Sequence, residues 1–461
     1  MKKTTIFFAI AFGTSVRDVL RNDTYKHLKD NKNLDIVILA QHIDEQFVIE
    51  FGDENIYFEQ LSEYKASLIE RCISYLHRGV LRHKCRTIDL GNTAGNTFSI
   101  DIIKPFTGLM LKIFGLAKIN KMIHYLYEKL TPAELYSEVF EKYEPSQVVV
   151  TRVLNYSNDY PVMRAALKYK IPVVALVSSW DNLTSKAFFP FSLDKLVVWN
   201  NVMKNEAIDL FQYPESDIFV SGIPRYDALL NNDLSQTKDE FLKYVGANLN
   251  KKLITYATGS KTTGRTKVDP KTPEPEIVKY LAQSICDGTI SNCQLLVRLH
   301  PQADVEEYNS LRKMNNVILQ VPGDKSSFQD RLFSYSDDIE LGELMKHSDV
   351  VVNLASTITI DAALFDTPII CINFDFFGQR KLKHSVKKFY QFDHYAKLAK
   401  TKGFTLANSL DDLVNKINYQ LSNPNHLKPE RLDIVKQQCM YTDGKSGARI
   451  AKFLLHSIKI K

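Results

Sequence analysis

The chain of 461 residues contains no CxxC pair, and its six cysteines (72, 85, 286, 293, 371 and 439) show no paired spacing. That pattern excludes a thiolate zinc site and a disulfide framework, and fits the reduced thiols of a cytoplasmic protein. No apolar run reaches the roughly 18–20 residues that a membrane span requires. The run Ile6–Phe12 near the start leads straight into Arg17-Asp18 and reads as a first buried strand in place of a signal peptide. GxGxxG is absent, as are P-loop spacing, zinc-finger spacing and basic motifs interleaved with aromatics. Dinucleotide binding, NTP hydrolysis and nucleic-acid recognition therefore have no signature here. Asp337-Asp338 precedes a helix and reads as its cap, which leaves no convincing metal pair, so neither a metal nor a cofactor is expected.

What is present is ordinary in composition and uneven in charge. Apolar residues make up 44% and charged residues 24%, as in a globular protein, and the length exceeds what one core supports. Net charge is +6, yet 11 Lys and Arg face 5 Asp and Glu between Ser62 and Leu130. Within that segment Leu109, Ile113, Leu116 and Ile119 recur at helical spacing, with Lys112, Lys118 and Lys121 between them. Two readings follow: a basic amphipathic helix over 104–130 lying on an anionic membrane, or a core helix with a solvated basic face.

The clearest architecture lies in Ser348–Asp375, SDVVVNLASTITIDAALFDTPIICINFD. It predicts a strand at Asp349–Leu354, a helix at Ile358–Phe365 and a strand at Ile369–Phe374. Both strands are continuous apolar runs, as in a parallel sheet covered on two faces. Ser356 and Thr357 open the helix, where hydroxyls, backbone N–H groups and the helix dipole can cap or can cradle a diphosphate, with Asp361 a turn inside. An ordinary βαβ unit with a good cap is the alternative.

Taken in order, Lys3–Phe12 and Leu34–Ala40 predict strands around a helix at Val19–Leu28. The loop from Gly13 and Thr14 to Asp18 stands at the first strand's carboxyl end, where such sheets bind ligands. Asp44–Phe140 reads as mainly helical, with a loop at Gly91–Ser99. Strands return at Gln147–Thr151 and Pro172–Val177. Just past the latter, Trp180, Asp181, Asn182 and Lys186 offer a stacking face, a carboxylate, an amide and a cation, although a lone tryptophan also serves for packing. Gly222-Ile223-Pro224-Arg225 ends the last strand of this half, and Tyr226–Thr237 connects onward. The second half opens with Leu253–Thr258 and the loop Gly259, Ser260, Lys261 onward (GSKTTGRTK), phosphate-like in composition. The strand Gln294–Leu299 exits at Arg298-Leu299-His300-Pro301, where Arg298 can grip a phosphate in bidentate fashion and His300 can bind or protonate one. The fold class is thus α/β, with two doubly wound Rossmann-like domains facing a cleft. The first covers 1–235 with a helical insertion at about 44–140, and the second covers 250–461.

RLHP at one strand exit followed by SDVVVNLASTITIDAALFDTPIICINFD resembles the GT-B glycosyltransferases. Within them the chain is similar to the clan of CDP-glycerol glycerophosphotransferase-like and capsule or surface-polysaccharide transferases. The resemblance covers about Val149 to Phe376, including SSWDNLTSK, VVWN and SGIPRYD. It implies that Arg298, His300, Pro301, Ser356 and Thr357 bind the diphosphate or nucleotide of a nucleotide-activated donor. Gly259, Ser260, Lys261 and Asp361 join the donor side. The acceptor, a glycan or glycolipid, falls to Gly13, Thr14, Trp180, Asn182 and Lys186. His300 is the catalytic candidate that meets the leaving phosphate, and Asp18 or Asp181 is the candidate base. Glycerophosphotransferases carry Thr-Asp-Tyr-Ser-Ser where this chain has Val-Asn-Leu-Ala-Ser-Thr, so a sugar nucleotide is as good a donor as a polyol phosphate. The expected setting is cytoplasmic, with a peripheral seat at the inner face of the plasma membrane as an option. A sugar-nucleotide 2-epimerase-like enzyme, or a silent scaffold that binds glycolipid or a partner, are the other readings.

Overall fold

The computed structural model describes residues 3–11, 15–90, 97–151, 158–186, 189–231, 234–260, 263, 273–323 and 335–458, with backbone alone for 97–101. The chain divides into two compact units, Met1–Ala228 with Met440–Lys461, and Leu229–Cys439. Each is built on a parallel sheet, so both Rossmann-like domains implied by the apolar strand runs are present.

The first sheet contains β1 (Thr4–Ile10), β2 (Leu34–Ala40), β3 (Ile56–Gln60), β4 (Gln147–Val150), β5 (Val173–Leu176), β6 (Lys195–Val198) and β7 (Ile218–Val220). Their order is β3-β2-β1-β4-β5-β6-β7. Ile6 of β1 stands opposite Ile36 of β2 and Gln147 of β4. The second sheet contains β8 (Lys252–Ala257), β9 (Cys293–Arg298), β10 (Val317–Gln320), β11 (Val350–Asn353), β12 (Ile369–Ile372) and β13 (Thr405–Ala407), ordered β10-β9-β8-β11-β12-β13. In both units the first strand lies inside the sheet and the chain winds away from it in both directions. The reversal falls between β1 and β4, and between β8 and β11. Ligands bind outside the carboxyl ends of the strands at such a reversal.

Several local expectations change. The helix predicted over Val19–Leu28 is a π-helical turn, Val16–Leu20, followed by a helix at Asp23–Lys29 capped by Asn22, whose side chain accepts from the Thr24 N–H. β3 lies inside the stretch read as helical. It is an edge strand in which only Ile56 is fully buried, so it has no continuous apolar run to reveal it. Residues 91–96 of the predicted loop lie outside the described residues, and a helix begins at Thr97.

That helix, Thr97–Leu130, breaks at Gly115, which has φ 71° and ψ 158°. The break rephases the predicted stripe. Leu116 and Ile119 turn into the protein, whereas Leu109 and Ile113 are more than half exposed. The first half still packs closely on the helix Leu68–Leu81: a Cβ on Gly79 would lie 2.8 Å from Thr107 Cγ2 and 2.9 Å from Ile103 Cδ1.

The end of the chain also departs from the reading. The closing helix, Ser446–Ser457, was expected with the second domain, yet it packs in the first unit, where Ile450, Ala451 and Leu454 join the core around β1 and β2. Asp227 accounts for this placement. It is buried, and its two carboxylate oxygens accept from the Ser446 N–H at 2.9 Å and the Gly447 N–H at 2.6 Å. Gly447 is required there because a Cβ would meet the Thr24 backbone nitrogen at 2.7 Å.

Candidate functional site

In the second unit the carboxyl ends of β9, β8 and β11 lie side by side. They bring together His300 and Pro301, Gly259 and Ser260, and Ser356 and Thr357. Thr258 joins the first two pairs, because its hydroxyl accepts the backbone N–H of His300 at 2.8 Å. The turn begun by Pro301 brings the Gln302 N–H to within 3.0 Å of His300 Nδ1. A nitrogen that accepts a hydrogen bond carries no proton, so the neutral ring holds its proton on Nε2 and can donate from there.

Gly259 presents its N–H to a carboxylate of the protein itself: Glu274 Oε1 and Oε2 lie 3.0 and 2.9 Å away. Burial pushes the Glu274 carboxyl up to about 8, against the opposing pull of the Gly259 N–H and the Tyr256 hydroxyl. A side chain at Gly259 would come within 2.5 Å of Thr263 Oγ1, so the turn needs glycine. Ser260 Oγ lies 3.2 Å from the same Thr263 oxygen. Lys261 lies outside the described residues, as do Gly13 and Thr14 on the acceptor side.

After β11, Ala355 adopts a left-handed φ of 46°. The Asn353 side chain, fully buried, accepts the Ser356 N–H at 3.0 Å and holds this turn. Ser356 Oγ in turn accepts the Ile358 N–H at 3.3 Å. The helix that follows is only Ile358–Leu364, and the Thr357 hydroxyl caps nothing. The expected cradle of bare N–H groups is therefore largely used up internally. What the turn offers a ligand is a pair of hydroxyls.

Two predicted donor residues stand elsewhere. Arg298 is only 6% exposed and gives Nη1 to Glu340 at 2.6 Å, while Gln320 donates to the other Glu340 oxygen at 2.7 Å. It is a strut joining β9, β10 and the helix Tyr335–His347. Asp361 is 3% exposed, which leaves little of its side chain at the surface to meet a donor. Among the described residues no group of three His, Cys, Asp or Glu could hold a metal ion.

In the first unit Trp180 and Asn182 are each 4% exposed, which removes the expected stacking face and amide from the surface. The reason is a local network. Asp181 Oδ1 accepts from Ser179 Oγ at 2.6 Å, Oδ2 accepts from Ser185 Oγ at 2.8 Å, and Lys186 lies 3.5 Å from Oδ2. The segment curls into the short helix Asn182–Ser185 and becomes an anchor. Asp18 has a different setting. It rides on the π-helical turn after β1 and lines a pocket with Trp199 and Arg225. Arg225 was read only as the end of a strand. A cation directly after a Gly-x-Pro turn at a strand's carboxyl end was the available signal.

Solved structures share the arrangement along nearly the whole chain. A UDP-GlcNAc 2-epimerase from Neisseria meningitidis bound to UDP-GlcNAc is 14% identical, with 99% of this chain and 100% of that one covered at a TM-score of 0.54. A variant of the wall teichoic acid polymerase TagF is 13% identical over 99% of this chain and 89% of that one, at a TM-score of 0.53. A glycosyltransferase from Rickettsia africae is 12% identical over 99% and 100%, at 0.51. At these identities the likeness shows the fold, that of two Rossmann-like GT-B domains. No curated protein matches in sequence. The model of the family described as CDP-glycerol:poly(glycerophosphate) glycerophosphotransferase matches residues 185–456. That is more than half of the chain, and it takes in the strand ends that carry His300, Ser356 and Thr357. The chain belongs to the CDP-glycerol:poly(glycerophosphate) glycerophosphotransferase family.

Proposed function

We propose that this nucleotide-dependent transferase moves a glycerol-phosphate group from CDP-glycerol to a hydroxyl at the end of a lipid-linked cell-envelope glycan. The observation that carries this reading is the setting of His300. Its backbone is tied to Thr258 and its Nδ1 accepts from Gln302, so the ring proton sits on Nε2, and His300 stands at the end of β9, in the row of neighbouring strands whose β8 and β11 lead to Ser260, Ser356 and Thr357 at the reversal of the second sheet. When the acceptor oxygen bonds to the phosphorus next to glycerol, the bond from that phosphorus to CMP breaks and CMP leaves with the electron pair. A proton on Nε2 meets the charge that develops there, the main electrostatic task of such a transfer. Hydroxyl donors fix the bridging phosphates, and no metal or cofactor enters the scheme. The family match and the polymerase TagF, whose structure has also been determined after a CDPG soak, support a CDP-linked donor. The likeness to UDP-GlcNAc 2-epimerases is one of fold.

The experiment is incorporation of label from CDP-[14C]glycerol, with UDP-GlcNAc in parallel, into a glycerol-phosphate-primed lipid acceptor, with and without EDTA. Transfer from CDP-glycerol that survives EDTA is expected. Transfer from the UDP-sugar alone would overturn the donor assignment, and abolition by EDTA would overturn the metal-free scheme.

A lipid-linked acceptor asks for a seat on the membrane, and the broken helix supplies one in this reading. Ile102, Phe106, Leu109 and Ile113, spaced four, three and four apart, are all more than half exposed. Lys112, Lys118 and Lys121 are exposed on the same helix. An apolar stripe flanked by lysines suits the interface of an anionic bilayer. No helix among the described residues is long and apolar enough to cross a membrane. Sedimentation with phosphatidylglycerol vesicles, and failure to sediment with phosphatidylcholine alone, is the expected result.

A further inference from the structure

The pocket in the first unit is lined by Asp18, Ser178, Trp199, Ser221, Arg225 and Ile450, among others. Asp18 follows β1, Ser178 follows β5, Trp199 follows β6, and Ser221 and Arg225 follow β7. Five strand-end residues drawn from opposite ends of the unit's sequence thus meet at the ligand edge of the sheet, and the closing helix supplies a wall through Ile450. The space open to the centre of a water molecule is about 20 Å³, enough for one water or one hydroxyl group.

Two features mark Asp18 as more than a wall. It stands on a π-helical turn, Val16–Leu20, closed by the Arg21 N–H to the Val16 carbonyl at 3.0 Å. Such turns are rare and recur at functional sites, because one extra residue per turn re-aims a side chain. Secondly, its carboxylate is only half used. Arg17 Nε donates to Oδ1 at 3.1 Å, and Oδ2 has no partner among the described residues, although the side chain is only 11% exposed. Asp181, the other carboxylate on this edge, has both oxygens occupied.

Arg225 brings a cation to the same pocket. Its guanidinium stacks 4.9 Å over the ring of Tyr226 and donates to that tyrosine's hydroxyl at 3.3 Å. A planar fork held by an aromatic ring suits a phosphate diester.

We propose that this pocket is the acceptor-end site: it takes the terminal hydroxyl of a polyol-phosphate chain, with Asp18 as the base and Arg225 on the adjoining phosphodiester. In the transfer, the acceptor O–H proton goes to Asp18 Oδ2 as the oxygen bonds to the donor phosphorus and the bond to CMP breaks. This assignment rests on the transfer reading above, but the acceptor contact can be measured without it.

The test uses the full chain and two soluble probes, glycerophosphoglycerol for the acceptor end and CMP for the donor. Wild type should be stabilised by each probe separately in thermal unfolding. Arg225→Gln should lose the glycerophosphoglycerol shift and keep the CMP shift, and Arg225→Lys should recover part of the loss. Asp18→Asn, which is isosteric, should keep both shifts while transfer falls at least a hundredfold in kcat and loses the acidic limb of its pH profile. Unchanged glycerophosphoglycerol binding in Arg225→Gln, or none in wild type, would overturn the site, as would Asp18→Asn transferring at the wild-type rate. Failure of the donor reading looks different: no CMP shift in wild type, with the Arg225-dependent shift intact.

Discussion

The two sheets repeat one winding order, first strand inside and reversal beside it, yet their ligand edges differ in chemistry. The second sheet ends in hydroxyls and an imidazole: Ser260, Ser356, Thr357 and His300. The first ends in a carboxylate and a guanidinium, Asp18 and Arg225, around an indole. Neutral donors and a protonatable ring suit a diphosphate whose bridging bond must break. A half-used carboxylate beside a cation suits an alcohol that must lose a proton next to a phosphate. The fold sets where ligands go, and the residue after each strand sets which one.

The sharpest way to break this contrast is at His300. Replacing it by alanine removes the proton donor at the leaving phosphate, and transfer should fall by about 10²–10⁴-fold in kcat. His300→Gln keeps an N–H donor and should fall less. Steady-state kinetics with CDP-glycerol reads both, and a wild-type rate in His300→Ala would remove the second sheet's edge from the chemistry.

Two buried titratable groups, one in each unit, should respond to pH with opposite sign. Glu274, in the second, has its carboxyl pushed up to about 8 by burial. Between the usual carboxylate value and about 8 the unfolded chain has lost this proton while the folded one keeps it. Stability therefore falls as pH rises through that window and levels off above it, by on the order of a few kcal/mol. His77, in the helical insertion of the first unit, is pushed down to about 4 by burial, with Asn120 Oδ1 2.9 Å from its Nε2. There the unfolded chain takes a proton first as pH drops from about 6.5, so stability falls towards acid and levels off below about 4. Both tryptophans, Trp180 and Trp199, belong to the first unit, so their fluorescence follows that unit while far-UV circular dichroism follows both. Urea midpoints at pH 5 and pH 8 should separate the two effects. Glu274→Gln should flatten the alkaline loss, and His77→Gln the acid one.

What could be read from the sequence divides along the same physical lines. Central strands announced themselves as continuous apolar runs, and the hydroxyls and imidazole of the second edge lay in short local motifs. The departures from the expected placements have long-range causes. Arg298 and His300 are two residues apart, and only Glu340, far along the chain, makes the first a strut. The polar run around Trp180 looked solvated because its serines and aspartate satisfy one another in the folded chain. Asp227 holds the closing helix across some 220 positions, a contact no local pattern encodes. The stripe of the broken helix failed at one residue, Gly115, whose left-handed backbone ends a periodicity that the side chains alone continue.

Arg298 itself offers a smaller test of the difference between strut and ligand. Arg298→Met keeps the stem but leaves Glu340, with a side chain 21% exposed, without its cation. Loss of a fully buried partner costs about 3–5 kcal/mol, and solvent at Glu340 should reduce this to about 2 kcal/mol. The expected signature is a lower urea midpoint with CMP affinity within about threefold of wild type. A large loss of CMP affinity at unchanged stability would return Arg298 to the phosphate.

The smallest effect expected lies on the broken helix. Lys118 is exposed just past the break at Gly115, so Lys118→Ala should leave stability and both nucleotide and acceptor affinities unchanged. If the broken helix rests on anionic lipid, removing one lysine near the surface weakens vesicle binding by about 1 kcal/mol, roughly fivefold. The deficit should shrink as salt shortens the reach of the lipid charge. Phe106→Ser, which removes an exposed ring from the apolar stripe, should weaken binding in a way that salt does not alter. Equal salt sensitivity of the two variants would mean that the apolar stripe is not inserted, and that this surface meets the membrane by charge alone.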